Sequence, residues 1–156
     1  MRNSSGFSLI ELLIVVAIIL IIAAIALPNF LRSRITANET ATVANLRNIT
    51  TANVVYSTTY NIGYAAQLSY LGGTGALGPT SSQLIDDVLA AGTKSGYALT
   101  YTPGPLNAVG MIDSYVINAN PVAPGGTGTR YFFMDESGTI RFNVNTPATV
   151  ADSPIS

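Results

Sequence analysis

The sequence predicts an α+β protein in which one long N-terminal helix packs on a four-stranded antiparallel sheet. An apolar run extends from Phe7 to Leu27, and apolar residues then recur at spacings of mostly three to five positions as far as Val54. After Gly92 the apolar period changes to two. The first two patterns are typical of a helix, here from Phe7 to about Thr59, and the alternation is typical of strands with one buried face.

The apolar run is long enough to cross a membrane. As a helix, Phe7 to Leu27 would measure about 31 Å, against roughly 30 Å for the hydrocarbon core of a bilayer. An ordinary secretory signal is the alternative, with Arg2 in its n-region and Ala24–Ala26 as its cleavage site. The run exceeds the roughly 7 to 15 apolar residues of such a signal, and Glu11 would be an unexplained cost inside it.

Glu11 is a single acid inside this apolar run. A carboxylate near the middle of a bilayer costs roughly 2.5 to 3.5 kcal/mol, so it needs a cationic partner. Peptide cleavage after Gly6 would create one, because the new amino group of Phe7 lies about one helical turn, about 6 Å, from the level of Glu11. A buried pair of this kind stabilises neighbouring subunits only when they dock at one axial offset.

The residues from Gly6 to Glu11, followed by Leu12 to Leu27 without a polar interruption, resemble the signature of the type IV pilin and pseudopilin family. The resemblance implies the pilin fold, cleavage between Gly6 and Phe7 by a prepilin peptidase, and N-methylation of Phe7. It also implies self-assembly into a filament through Phe7, Glu11 and the apolar helix. The implied partners are other copies of the chain, the peptidase and methyltransferase, an inner-membrane assembly platform and, before assembly, membrane lipid.

These patterns divide the chain into a leader at 1–6, a membrane and filament-core helix at 7–27, an amphipathic half-helix at 28–60 and a globular head at 61–156. Pro28 removes one hydrogen bond to the carbonyl of Ala24, which predicts a kink in the helix axis. A helix stop is the alternative, but helical periodicity continues beyond the proline. The apolar stripe that we expect to face the head is Leu31, Ile35, Val43, Leu46, Ile49 and Val54.

The head is predicted to contain a loop, a short helix and the sheet. Ser81 or Ser82 can cap the helix, which would end at Gly92. The predicted strands centre on four apolar segments: Tyr97–Tyr101, Tyr115–Ala119, Tyr131–Met134 and Ile140–Val144. A tight hairpin at Asp135–Gly138 joins the last two strands.

The composition argues against catalysis and against nucleic-acid binding. The net charge is -1, only 10% of the residues are charged, and histidine and cysteine are absent. The commonest general base, the thiolate metal ligands and disulfides are therefore excluded. We expect no enzyme activity and no cofactor. The alternative to having no cofactor is a calcium site, because hard cations bind carboxylate oxygens. Asp135 and Glu136 are weak candidate ligands for it.

Two other groups of residues allow more than one interpretation. Asp86 and Asp87 point about 100 degrees apart on a helix, which favours a solvated face over a catalytic pair. Four tyrosines near the rim of the head favour packing over an adhesive surface, namely Tyr56, Tyr60, Tyr64 and Tyr70. Neither glycine cluster, at 72–75 or 125–128, has the sequence context of a phosphate-binding loop.

The sequence therefore predicts a structural subunit of a type IV pilus, held in the bacterial inner membrane as a single-pass precursor and then assembled into a filament at the cell surface. A pseudopilin of a type II secretion system, forming a periplasmic filament, shares the same N-terminal chemistry. A secreted binding domain released by ordinary signal peptidase is the alternative from a different class.

Overall fold

A computed structural model describes residues 7–155 and confirms the α+β class. Helix α1 spans Leu9–Tyr60, and a single 3-10 turn follows at Leu68–Leu71. The remaining elements are α2 (Asp87–Ala90), β1 (Thr93–Lys94), β2 (Tyr97–Pro103), β3 (Tyr115–Pro121), β4 (Tyr131–Asp135) and β5 (Ile140–Asn143). The strands form one antiparallel sheet in the order β1-β2-β3-β4-β5, so the sheet has five strands and not the predicted four.

The described chain divides into two compact units, one ending at Arg34 and the other beginning at Ile35. In the first unit, every side chain from Phe7 to Ile22 is exposed. Helix α1 includes a stretch that is long and apolar enough to cross a membrane, and none of that stretch is buried. Pro28 lies inside α1, which continues as a helix to Tyr60.

In the second unit, one face of α1 is buried, but it is not the predicted stripe. Leu46 and Ile49 are fully buried as expected, whereas Val54 remains 49% exposed. The buried face repeats about every 3.5 residues and contains several polar side chains; its members are Glu39, Thr42, Asn45, Leu46, Ile49, Ala52, Asn53 and Tyr56. Glu39 and Asn45 are also buried, although neither belongs to the predicted apolar stripe.

Asn53 shows why a polar side chain can occupy this face. Its side-chain oxygen accepts a hydrogen bond from the backbone N–H of Ala65, at 3.2 Å, and another from the hydroxyl of Tyr101, at 3.3 Å. The same hydroxyl donates to the carbonyl of Ala65 at 2.8 Å. The hydrogen bonds to its oxygen hold the start of the loop that follows α1 against β2, whereas its buried Nδ2 has no hydrogen-bond partner among the described residues.

The sheet alternates as the sequence predicts. In β3, Tyr115, Ile117 and Ala119 are buried in the core that contains Leu46 and Ile49 of α1. The intervening Val116, Asn118 and Asn120 therefore lie on the outer face of the sheet. The pairing of β2 with β3 aligns Leu99 with Ala119 and Tyr101 with Ile117, which continues the buried face across the sheet.

The extra strand and the short helix differ from the prediction for local reasons. Strand β1 has only two residues, Thr93–Lys94, which is too short to show a period of two. Helix α2 begins at Asp87, and its cap is Asp86, whose carboxylate accepts the N–H of Leu89 at 3.0 Å. Ser82 does not cap the helix, because its hydroxyl donates instead to the carbonyl of Tyr70 at 2.8 Å.

The predicted β4–β5 hairpin is confirmed. Met134 pairs with Ile140, and the N–H of Gly138 donates to the carbonyl of Asp135 at 3.0 Å. Gly138 has φ of 74°, a left-handed conformation that glycine adopts at little cost. The turn therefore needs glycine at this position.

Candidate assembly site

The candidate assembly site begins at the first turn of α1. Ser8 directly precedes the helix, and Glu11 is its third residue. The Glu11 carboxylate turns back and accepts the backbone N–H of Ser8 at 2.9 Å. A serine followed three residues later by glutamate is the sequence pattern of a capping box, and this bond is its glutamate half. The spacing of Ser8 and Glu11 in the sequence is enough to indicate this cap.

This hydrogen bond uses one of the two carboxylate oxygens of Glu11. No hydrogen bond joins the other oxygen to any residue from 7 to 155. Phe7 is 80% exposed beside it. Gly6, the other residue of the predicted cleavage site, lies outside the described residues. The geometry places an acceptor and a bulky apolar side chain together at the start of the exposed helix.

The exposed apolar surface extends beyond this first turn. Ile10, Leu13 and Leu20 are each more than half exposed, and the same holds for most apolar side chains up to Phe30. A soluble monomer rarely exposes an apolar patch this extensive. An exposed apolar surface of this size is typical of a segment that contacts lipid or other helices, and Glu11 lies within it.

The predicted calcium candidates lie at the β4–β5 turn. The Asp135 carboxylate accepts hydrogen bonds from the N–H and the hydroxyl of Ser137, which stabilise the turn. Glu136 is exposed beside it. Across residues 7–155, no group of three or more acids, histidines or cysteines is placed to hold a metal ion. The calcium interpretation has only these two carboxylates in its favour.

The other acid pair has a structural role that the sequence did not indicate. Asp86 caps α2 and also forms an ion pair with Lys94, with 2.7 Å between Nζ and Oδ2. The hydrogen bond from Lys94 is the main reason that the pKa of Asp86 is lowered, and the Leu89 N–H adds to it. Asp87 accepts the N–H of Gly73 at 2.9 Å. Both acids therefore hold the 72–94 region together.

Glu39 is the buried charge that sequence analysis missed. Its Oε1 accepts the N–H and hydroxyl of Thr129, both at 2.8 Å, and the N–H of Arg130 at 3.1 Å. Its Oε2 accepts Nε of Arg130 at 2.7 Å. Burial alone would raise the pKa of Glu39, but these hydrogen bonds outweigh burial and lower it. Glu39 thereby attaches the segment before β4 to α1.

The guanidinium of Arg130 is also held by aromatic rings. It lies 5.4 Å from the ring centroid of Phe132 and 5.7 Å from that of Phe142. Such contacts add cation–π attraction to the ion pair with Glu39. The network therefore joins α1, β4 and β5, and its role is structural.

The rim tyrosines support the packing interpretation. Tyr56 is 1% exposed, lies 5.0 Å from the ring of Tyr60 and donates its hydroxyl to the carbonyl of Pro79 at 2.8 Å. Tyr64 contacts Tyr115 edge-on at 4.9 Å. Rings packed in this way stabilise the head from within.

Comparison with known proteins identifies the N-terminal segment. Residues 1–27 match the family model described as the prokaryotic N-terminal methylation motif. The chain carries the prokaryotic N-terminal methylation motif. The matched residues 1–27 include Gly6, Phe7 and Glu11, and the predicted resemblance to type IV pilins is confirmed by the motif and by two similar proteins.

Two curated relatives extend the similarity beyond the methylation motif at residues 1–27. The chain is 44% identical over 72 residues to the type IV wide pilus major component PilA4 of Thermus thermophilus, a match covering 44% of this chain and 55% of that protein. It is 51% identical over 50 residues to the type IV major pilin protein PilA of Myxococcus xanthus, covering 32% of this chain and 23% of that protein. The matches therefore span about half of one relative's length and about a quarter of the other's. No solved structure matches the chain.

Proposed function

We propose that this protein is a structural subunit of a type IV pilus. The observation that carries the proposal is the methylation motif at residues 1–27 leading directly into an exposed apolar helix with Glu11 in its first turn. Self-association is the work of such a subunit, and no catalytic role is assigned to it. The two similar proteins are both named as major components of type IV pili.

The proposed sequence of events starts with a precursor held in the bacterial inner membrane by its apolar helix. A prepilin peptidase cleaves after Gly6, and the new amino group of Phe7 is N-methylated. An inner-membrane assembly platform then moves the subunit from lipid into a filament of identical subunits at the cell surface. Throughout these steps the apolar surface from Phe7 to Leu27 exchanges lipid contacts for helix contacts.

Glu11 makes that exchange selective. Apolar burial largely cancels between lipid and filament, so packing and polar pairing must favour the filament. The backbone N–H of Ser8 in the same chain donates a hydrogen bond of 2.9 Å to the Glu11 carboxylate and orients it. The remaining oxygen can accept the methylated amino group of Phe7 from a neighbouring subunit. A carboxylate that is oriented before docking loses less conformational entropy on pairing.

Mass spectrometry of the mature N-terminus tests the processing step. We expect the purified filament subunit to begin at Phe7 and to carry one additional methyl group there. A mature chain that begins at Leu27 would instead support release by ordinary signal peptidase and would overturn the pilus proposal.

Two substitutions at Glu11 test the pairing step. Glu11→Ala removes both the charge and the hydrogen bond to Ser8, whereas Glu11→Gln keeps an acceptor for that bond and removes only the charge. If charge pairing drives assembly, both variants should be processed and membrane-inserted but should give few filaments in sheared cell fractions. Normal filament yield from Glu11→Gln would contradict the pairing role and leave only the helix cap.

A further inference from the structure

A groove of about 740 Å³ runs along the outer face of the sheet. Its floor follows β3 from Val116 to Asn120, and the pairing with β4 places Asp135 opposite Val116 and Phe133 opposite Asn118. Since Asn120 is four residues beyond Val116 in an extended strand, the floor is about 13 Å long. All the residues that line the groove belong to the second compact unit.

The facing wall of the groove is the segment at 147–150, which hydrogen bonds hold in place. Asn118 donates from the floor to the carbonyl of Ala148 at 2.9 Å. The carboxylate of Asp152 accepts the N–H of Thr149 at 2.7 Å and its hydroxyl at 3.0 Å. A site whose wall is already ordered loses less conformational entropy when a ligand binds. The groove is therefore formed before any ligand arrives.

The end of the groove next to Val116 combines acidic and apolar side chains. Asp135 and Glu136 line this end, and neither forms an ion pair within residues 7–155. Val116 and Val150 contribute apolar surface, and Val150 is 61% exposed. Such a surface is complementary to a cation that is carried near an apolar side chain.

Among the residues that the structure describes, no lysine or arginine lines the groove. Arg141 lies on the same face of the sheet, because it pairs with Phe133. Its guanidinium donates instead to the carbonyl of Asp152 at 2.9 Å. The two acids of the groove therefore remain available to a cation from another molecule.

The far end of the groove contains an unsatisfied acceptor. The Oδ1 atom of Asn120 is buried and has no hydrogen-bond partner among the described residues. Leaving a buried acceptor unpaired is unfavourable. Rotation of the amide about χ2, which is a broad torsion, would turn Oδ1 toward a donor in the groove. A backbone N–H of an extended chain is such a donor, and the floor separates it from the acidic end by about 13 Å.

We propose that this groove binds an extended segment of another protein that carries a lysine or arginine two residues from an apolar side chain. The cation would meet Asp135 and Glu136. The apolar side chain would lie against Val116 and Val150, and a backbone N–H further along would donate to Asn120. In an extended chain, side chains two residues apart lie on one face about 7 Å from each other, so three such positions span the floor.

Two features favour a peptide segment over a small amine. The acids and Asn120 lie at opposite ends of the floor, and a small amine would reach only one of them. The groove is also open along one side, because Glu136 and Val150 are exposed, whereas sites for small molecules usually enclose most of the ligand surface. The inference does not depend on assembly into a pilus, since one compact unit supplies the whole site.

Fluorescence anisotropy with the detergent-solubilised full chain tests the proposal. The probe is a labelled, end-blocked pentapeptide with lysine first, leucine third and threonine at the other positions, and empty micelles give the background. We expect saturable binding that weakens about tenfold when glutamate replaces the lysine. Replacing the leucine by serine should weaken it about fivefold. Unlabelled peptide should compete with the probe, whereas n-butylammonium at the same concentration should not.

Variants of the chain locate the binding in the groove. Glu136→Lys should weaken binding of the lysine peptide about tenfold, and Val150→Ser should weaken it about threefold. Asp113→Lys and Val109→Ser are the matched controls and should leave the affinity unchanged, because both residues are exposed and neither lines the groove. All four substitutions replace exposed side chains, so the head should remain folded.

Three results would overturn the proposal. The first is equal affinity of the Glu136→Lys and Asp113→Lys variants for the lysine peptide. The second is competition by n-butylammonium as strong as that by unlabelled peptide, which would assign the groove to a small amine. The third is no saturable binding above the micelle background. Each result leaves the pilus function standing, because filament formation is measured separately.

Discussion

Replacing Glu39 should destabilise the head more than any other single change to a charged residue. In Glu39→Ala, the backbone N–H groups of Thr129 and Arg130 lose their acceptor, and the Arg130 guanidinium loses its ion pair. Breaking a buried ion pair costs about 3 to 5 kcal/mol. The side chain of Arg130 is 35% exposed, so water can partly replace the lost carboxylate. We therefore expect a loss of about 2 to 4 kcal/mol in the free energy of unfolding.

The assay is thermal unfolding of the detergent-solubilised full chain, followed by near-ultraviolet circular dichroism of the tyrosines. For a domain of this size, about 1 kcal/mol corresponds to roughly 4 °C in Tm, so Glu39→Ala should melt about 8 to 16 °C lower. Glu136→Ala is the matched control, because it removes an exposed acid from the same unit. A Tm change below about 2 °C for Glu39→Ala would refute the reasoning.

The same network predicts a pH dependence. Because the pKa of Glu39 is lower in the folded head than its ordinary value of 4.5, the folded state favours the charged form. Its contribution is fully present above pH 4.5 and is lost as the pH falls from there through the folded pKa. Glu39→Gln should show a smaller loss of stability between neutral pH and this acidic range than the unmodified chain. Identical pH profiles would contradict the assignment.

Three further outcomes follow from local geometry. Gly128→Ala should cost about 1 to 3 kcal/mol, because a Cβ would overlap the buried Tyr97 ring, whereas Gly126→Ala should be nearly neutral in the same melting assay. Asp86→Ala should cost about 1 kcal/mol by removing the cap of α2, and equal stability of the variant would contradict the capping role. Calcium should not raise Tm, because the ion takes six to eight oxygen ligands and Asp135 already accepts from Ser137. A calcium-dependent rise reversed by chelation would instead support a calcium site at Asp135 and Glu136.

The elements with a regular apolar period could be predicted from the sequence. Strands β2 to β5 all lie at the four predicted apolar segments, and helix α1 ends one residue beyond the predicted Thr59. The two-residue β1 and the four-residue α2 are too short for a period to identify. The position of β1 depends on its pairing with β2, and the position of α2 depends on its cap by Asp86.

The buried face of α1 could not be predicted, because its partners are distant in the sequence. Glu39 is buried only because Arg130 lies beside it in the fold. Asn53 is buried because Ala65 and Tyr101 satisfy its side-chain oxygen. An apolar stripe ranks these positions as exposed and ranks Val54 as buried, whereas Val54 is 49% exposed.

The sparse charges of this chain make each unpaired charge a strong determinant of assembly. Only 10% of the residues are charged, and the pairs Glu39–Arg130 and Asp86–Lys94 are used inside the head. Glu11, Arg47 and Glu136 make no ion pair within residues 7–155. The apolar helix can slide past its neighbours with little change in energy, because one leucine packs much as another does. A charge that must find a partner removes that freedom, so pairing of Glu11 with the amino group of Phe7 in a neighbouring subunit would fix one axial register.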